Sequence, residues 1–456
     1  MSPVDRRFAD EPRLTVGEVE DVIAEQCFPG DERADGPGKV GLEVERFPIH
    51  PTAGRLTIAD GDLCTRAVLG DRFGEQQEIR GLPAYALADG GHLTFEPGGQ
   101  VEHVTRPHDT AAGAMAVSDA VSAELAETFA LSSAVLASSG IDLWHDLETV
   151  EQQLPAFRYP AMDAYFRARG HAGPLMMRHS CSLQISLDLG RATDRAERWL
   201  VGNLVSPLLT ATFANSPSPG HASARAAAWQ ALDPTRTGFP SALVDGSSDD
   251  PITHMTRAAI DADVLLVRTG SADAEPGRPG WTFGAWIRDG HPEFGFPTAT
   301  DLRYHVSTLF LELRPRGKVE FRSIDAIPHQ WRCVPLVLLV GAIEDPTARS
   351  TLLDLLGPQR SFLPQLWADA AARGVAPPSM CALAVEAWSY ALEGAMRLPD
   401  GYVTREMLVR TEEFLERFTL RGRCPADEVR ELLADSPARA LAWVAEPVPQ
   451  FATSGR

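Results

Sequence analysis

Glu43 and Glu45 stand two residues apart in the segment GLEVERF. In an extended strand that spacing projects both carboxylates from one face. Paired acids on a sheet face suit a hard cation such as magnesium, which takes oxygen ligands and commonly bridges to substrate phosphates. Taken alone, the pair also fits an edge strand with a solvated acidic face. Glu96 precedes a Pro97–Gly98–Gly99 turn, and Glu102 lies on the return strand with Gln100 sharing its face. Further oxygen ligands can therefore converge on one region, and the glycines let backbone amides approach a ligand closely. By itself, EPGG reads equally as an ordinary turn with an exposed acid.

A later segment, LELRPRGKVEFRSID, repeats the parity with both signs of charge. Glu312 and Arg314 share one strand face, and Glu320 and Arg322 share the next, so a row of alternating acids and arginines can face inward. Cross-strand salt bridging on a solvated surface is the other reading. Arg225, Trp229, Asp233 and Arg236 fall in SARAAAWQALDPTRTG. Guanidinium forks bind carboxylate or phosphate, and an indole can wall the pocket beside them. An arginine-capped helix with a buried tryptophan accounts for the same residues. His179 and Cys181 invite a Cys–His nucleophile, against which stands a packed core cysteine.

These residues need strands to hold them. GLEVERFPI, residues 41–49, is the first strong strand, released from a loop at DERADGPG, and LTFEPGGQVEHV forms a hairpin. SCSLQISLDLG alternates apolar Leu183, Ile185, Leu187 and Leu189 with polar Ser182, Gln184, Ser186 and Asp188, so one face of a half-buried strand is free for a site. One long helix is expected from Asp109 to about Ser139, capped by Asp109 or Thr110, and another runs to about Phe213. A Ser/Pro/Gly loop at 215–223 then leads into an irregular stretch ending at Pro240. DLRYHVSTLF reads as a helix, and LELRPRGKVEFRSID as two strands around a turn at 315–317. From Pro328 onward the pattern is helical, interrupted at Pro346, Pro358, Pro377 and Pro425. Without regular βαβ alternation, the fold class is α+β with an antiparallel sheet. The organisation is an N-terminal polar segment and helix at 1–38, a core at 39–345, and a helical region at 346–456 packed on it.

The chain has 456 residues and a net charge of −20, which excludes a broad electrostatic footprint for nucleic acid or anionic lipid and favours small-molecule ligands. Lys39 and Lys318 are the only lysines, so cationic work falls to arginine, and a mechanism that needs a lysine nucleophile or a Walker lysine is disfavoured. The six cysteines are scattered without ligand-like spacing, and no apolar leader or membrane span is evident. Reduced thiols and a cytoplasmic location are expected.

The ordered segments GLEVERF, TFEPGGQVE, MMRHSCSLQISLDL, FANSPSPG with ARAAAWQALDPTRTG, and HVSTLFLELRPRGKVEFRSID resemble the glutamate–cysteine ligase family of the plant and bacterial type. That family lies within the glutamine-synthetase-like superfamily, and the resemblance spans roughly 41–325. The last segment looks most like the branch that begins ergothioneine synthesis. The resemblance implies a curved, mainly antiparallel sheet with surrounding helices. It implies magnesium ligands at Glu43, Glu45, Glu96, Glu102 and Glu320, with two or three Mg2+ ions or Mn2+ in their place. It places substrate and ATP binding at Gln100, Gln184, Arg225, Trp229, Arg236, Arg314 and Arg322, with Glu45 and Arg322 catalytic. The chain departs from the family pattern at His103 and Val104, where Leu–Ser is common, and at His179, where plant members carry arginine. If these positions line the acceptor pocket, the amine differs from cysteine.

The implied reaction phosphorylates the γ-carboxylate of L-glutamate with ATP and lets the amine of L-cysteine displace phosphate, with no covalent enzyme intermediate. The rival readings are a related ligase of specialised metabolism with another acid or amine, and a non-catalytic nucleotide- or amino-acid-binding homologue. Such a binder has no need for so many metal carboxylates. Neither nucleic acid nor membrane is an expected partner, and both monomer and homodimer remain open.

Overall fold

The computed structural model describes residues 11–30, 36–52, 54–58, 63–79, 82–154, 158–269 and 274–448. Its strands are β1 (Val40–His50), β2 (Gly54–Arg55), β3 (Gln77–Ile79), β4 (Leu82–Ala86), β5 (His92–Phe95), β6 (Val101–Val104), β7 (Val135–Ala137) and β8 (Ser182–Leu187), followed by β9 (Thr237–Gly238), β10 (Leu266–Arg268), β11 (Ala274–Pro276), β12 (Phe310–Leu311), β13 (Leu313–Pro315) and β14 (Val319–Asp325). The main sheet runs β13-β14-β8-β1-β6-β5-β4-β3, with β2 and β7 pairing on β1. Its pairings are antiparallel throughout, as the α+β expectation required.

Period-2 alternation divides the sheet chemically. Leu42 and Val44 on β1, Leu183, Ile185 and Leu187 on β8, Leu313 on β13 and Phe321 on β14 belong to one buried apolar cluster. The helix Arg195–Thr212 supplies Val201, Leu204, Val205 and Leu208 to the same cluster. Burial of each such side chain contributes about 1.5–3 kcal/mol, so the strands are pinned in register by their back face. Helices beyond residue 346 share this core, because Cys333–Glu344 packs on Pro378–Arg397. The two touch at Gly341, where a Cβ would sit 1.9 Å from the carbonyl oxygen of Ala391. Pro346 and Pro425 start helices, in first-turn positions behind Asp345 and Cys424.

Two expectations are corrected. The helix expected to reach Ser139 spans only Ala111–Leu131, with Thr110 as its cap, and Val135–Ala137 instead becomes β7. Ser133 reverses the chain at φ 57°, and Val135 and Leu136 then complete the far end of β1. The stretch after the Ser/Pro/Gly loop is a helix, Ala224–Leu232, because the Ser223 hydroxyl accepts the Ala226 amide at its start. Of the loop expected before Lys39, residues 31–35 lie outside the described residues. Among the described residues, no helix is long and apolar enough to cross a membrane.

Arg46 is the exception on the apolar face. It is fully buried and donates to Glu446 at 2.9 Å and to Ser122, while Arg332 donates to the same Glu446 carboxylate. His103, one residue from Glu102, lies among these groups rather than on the front face, opposite Val44 in the β1–β6 register. Burial, Arg46 and Arg332 hold it neutral, with its pKa pushed down to about 3. Glu446 moves the other way: burial opposes ionisation, but Arg332 and Arg46 outweigh it and lower the carboxyl to about 2. Its stabilising contribution is present above the unfolded value of about 4.3 and is lost as pH falls toward 2. Glu446→Ala leaves two buried guanidiniums without a counter-charge and is expected to cost about 3–5 kcal/mol in a urea melt at pH 7. Glu446→Gln is expected to flatten the fall in stability between about pH 4.5 and 2.

Candidate active site

Gln184 stands at the centre of the opposite face, on β8 between β1 and β14. Its amide nitrogen donates to Glu43 and, at 3.0 Å, to Glu45, while its amide oxygen accepts from Arg322 Nη1 at 2.7 Å. One carboxamide thus divides the site into an acidic half and a cationic half. Its orientation is dictated, because reversing it would aim oxygen at carboxylates and N–H groups at a guanidinium.

Glu43, Glu45 and Glu102 form the acidic half, each offering a carboxylate oxygen within 4.8 Å of the others. Glu45 lies directly opposite Glu102 across β1–β6, and Glu43 opposite Gln184 across β1–β8. Ser182 donates to Glu45 through its amide at 2.8 Å and its hydroxyl at 2.7 Å, and Thr94 on β5 donates to Glu102. Burial and then Glu320 and Glu45 push Glu43 up to about 7. Burial, Glu45 and Glu43 push Glu96 up to about 8, and Glu102 rises well above the carboxylate range through burial, Glu43 and Glu96. Glu96 therefore adjoins the trio electrostatically without belonging to the group of ligand oxygens. Oxygen donors that repel one another when bare suit magnesium, so the residues fit the expected ion.

Glu320 departs from expectation. It accepts from Arg314 at 2.6 Å and from Arg322 at 2.7 Å, and although burial opposes its ionisation, Arg314, Arg322 and Arg316 hold it far below the carboxylate range. It pairs with the arginines while standing close enough to the acids to raise Glu43. Arg322 lies 5.3 Å from the Trp229 ring, which packs on Phe310 at 5.5 Å, so Trp229 does wall this side. Burial and Arg322 lower Arg314 to about 9.

Three expected binding residues are occupied elsewhere. Arg236 is fully buried and spends its guanidinium on the carbonyls of Thr308, Asp263 and His305 and on the Thr308 hydroxyl. It serves the carbonyls at the C-terminal end of the helix Ala299–Ser307, which need donors. Gln100 accepts from the Gly98 amide at 3.0 Å and donates to the Ser180 carbonyl at 2.8 Å, so it ties the hairpin turn to the segment leading into β8. Gly98 is required by that same contact, since a Cβ there would lie 2.1 Å from the Arg178 carbonyl oxygen, not beside a ligand. Arg225 donates to the Arg322 carbonyl at 2.8 Å and faces Asp325 at 3.7 Å, which makes it a support for β14.

Asp325 went unnoticed in the sequence, although it organises the FANSPSPG loop by accepting from the Asn215 amide and the Ser216 and Ser223 hydroxyls. Its place at the end of the VEFRSID strand was the available signal. Glu312 is buried, with Arg225 and Arg322 acting on its carboxylate. Cys181 belongs to an apolar cluster with Phe47 and Ala137, where burial pushes its thiol pKa up, as fits a packed core cysteine. His179 is buried beside Asp142, so of the three departures only Val104, opposite Glu43, adjoins the acids.

An antiparallel sheet that gathers carboxylates and arginines on one face, joined by an oriented amide, offers oxygen ligands for a divalent ion beside donors for phosphate oxygens. The profile of glutamate–cysteine ligase family 2 matches residues 39–436, and the chain belongs to that family. It is 32% identical over 437 residues to the glutamate–cysteine ligase EgtA of Mycolicibacterium smegmatis, covering 91% of this chain and 96% of that protein. Identity to the Mycobacterium tuberculosis H37Rv EgtA is 28% over 445 residues, covering 94% and 93%. The chloroplastic glutamate–cysteine ligase of Medicago truncatula is 26% identical over 373 residues, covering 77% and 68%. The crystal structure of Francisella tularensis glutamate–cysteine ligase in complex with AMP shares the fold at TM-score 0.51 and 14% identity, over 90% of this chain and 88% of that one.

The raised carboxyls carry a pH signature. The metal-free fold binds more protons than the unfolded chain, so the contribution of Glu43 and Glu96 is present below about pH 4.3 and lost as pH rises through 7 and 8. Thermal melts of chelator-treated protein should therefore show a stabilisation by added Mg2+ that grows from pH 5 to pH 8. An equal shift at every pH would remove these acids from the ion's site.

Proposed function

We propose that this protein joins the γ-carboxylate of L-glutamate to the amine of L-cysteine, consuming ATP and releasing ADP and phosphate. The observation that carries the reading is the Gln184 seam, which sets an acidic group able to hold divalent cations against arginines able to hold phosphate. The family and the EgtA relatives support the same substrates.

A carboxylate resists attack by an amine because its oxygen is a poor leaving group, so the γ-carboxylate first takes the terminal phosphoryl group of ATP. Glu43, Glu45 and Glu102 would hold magnesium, with Glu96 beside them; when bound, the ion neutralises charge on the phosphates. Arg322 and Arg314 hold oxygens of the transferred phosphoryl group, and Glu320 keeps both guanidiniums aimed at the face. Ser182 and Gln184 fix the Glu45 carboxylate before substrate arrives, and Trp229 closes the cationic side against water. The amine then attacks the γ-glutamyl phosphate, forming the amide bond as phosphate leaves.

Incubation with ATP, Mg2+, glutamate and a panel of amines, read by mass spectrometry, tests the reading. γ-Glutamylcysteine with stoichiometric ADP is the expected outcome, and ADP release with a different amine alone would move the protein to another acceptor. Glu45→Gln is expected to keep the wild-type melting temperature while lowering turnover by roughly 10²–10³-fold. Gln184→Glu adds a fourth acid against Glu43 and Glu45 and turns a repulsive oxygen away from none of them. Its turnover should fall comparably, with metal-free stability declining more steeply above pH 6.

A further inference from the structure

Where the chain enters β1 and leaves β8, a cavity of about 260 Å3 opens that the reaction above does not use. Four segments remote in sequence wall it: Gly36 and Pro37 ahead of β1, Gly190 to Arg198 after β8, Glu344 to Arg349, and the end of the helix Pro378–Arg397. Arg191, Arg198, Arg349 and Arg397 line it against Asp194, Glu344 and Asp345, a local positive excess in a chain whose net charge is −20. Arg198 and Arg349 are only 4% and 5% exposed, so guanidiniums fixed by packing form its wall. Glu344 holds Arg198 at 2.5 Å and 3.1 Å and also accepts the Gly38 amide at 3.0 Å. Asp345 takes Arg397 at 2.8 Å and the Ala348 amide at 2.7 Å, which caps the helix Pro346–Leu356, and Asp194 faces Arg191 at 3.7 Å. Each carboxylate of the lining therefore already faces an arginine. Arg349 donates through Nε to Glu197 and through Nη1 to the Ile343 carbonyl, both at 2.7 Å, and its Nη2 has no partner.

The buried Nη2 of Arg349, the half-exposed guanidiniums of Arg191 and Arg397 at the rim, and the first turn of the helix Pro346–Leu356 all favour negative charge. What the cavity lacks is an acceptor, and a small oxyanion supplies one to each of these donors. We infer that this cavity is a second ligand site, which binds a phosphate or carboxylate group of a small molecule between Arg349, Arg191 and Arg397. It shares no residue with the acidic and cationic halves of the sheet face, so it stands independently of the ligase reading. Phosphate and carboxylate offer the same oxygen chemistry to a guanidinium, and the test has an arm for each. A ligand there bridges segments that separate on unfolding, so its binding raises the melting temperature.

Thermal melts of the full chain, with a chelator present and ionic strength held constant, are titrated with inorganic phosphate in one arm and malonate in the other. A melting temperature that rises and saturates is expected, and the arm with the lower midpoint concentration names the class of oxyanion. In Arg349→Met that midpoint should increase by roughly 10-fold or more. Arg191→Glu changes an exposed side chain, so it keeps the fold even if Arg349→Met does not, and its midpoint should increase in the same way. Arg322→Met removes a donor on the phosphoryl side of the sheet face and should keep the wild-type midpoint. Phosphate also stabilises proteins by exclusion from their surface, but that rise does not saturate and is equal in every variant. A rise of that kind alone, a midpoint unmoved by Arg191→Glu, or a saturable rise lost in Arg322→Met would overturn the inference.

Discussion

Carboxylates gathered on one buried sheet face repel one another, and the protein must hold them there without letting the sheet open. Gln184 is central to this. Its amide gives N–H groups to Glu43 and Glu45 and takes one from Arg322, so negative and positive halves meet through a neutral group that cannot change its charge with pH. A carboxylate in its place would deepen the repulsion, and a lysine would compete with the cation. Burial and mutual repulsion raise Glu43, Glu96 and Glu102, so protonation relieves the bare acids.

The remainder of the fold supplies the rigidity that this arrangement needs. Apolar residues of β1, β8, β13 and β14 face one cluster with the helix Arg195–Thr212, so no strand can slip by one residue without moving its acids into the core. Behind β1, Arg46, Arg332 and Glu446 form a second ionic group that ties the neighbour of Glu45 to a residue 400 positions later. The Asp325 network does similar work at the end of β14, fixing the loop that leads into the helix from which Arg225 reaches the Arg322 carbonyl.

The departures at His103 and His179 lie away from the acidic face, one behind the sheet and the other beside Asp142. Their positions remove the reason they gave for doubting cysteine as acceptor. Val104 alone keeps a place next to the acids.

Strand parity was readable from the chain itself, because alternation of side chains is a local property of extended backbone. It located Glu43 with Glu45, Glu320 with Arg322, and Gln184 on the polar side of its strand, and it indicated the antiparallel sheet. What no local pattern contains is which partner a long polar side chain finds. Arg236 looked like a ligand residue but answers the carbonyls at a helix end, Gln100 closes a turn, and Glu320 belongs to arginines. Backbone geometry sets the face on which a residue stands, whereas only packing between remote elements settles the charge or hydrogen bond that it meets there.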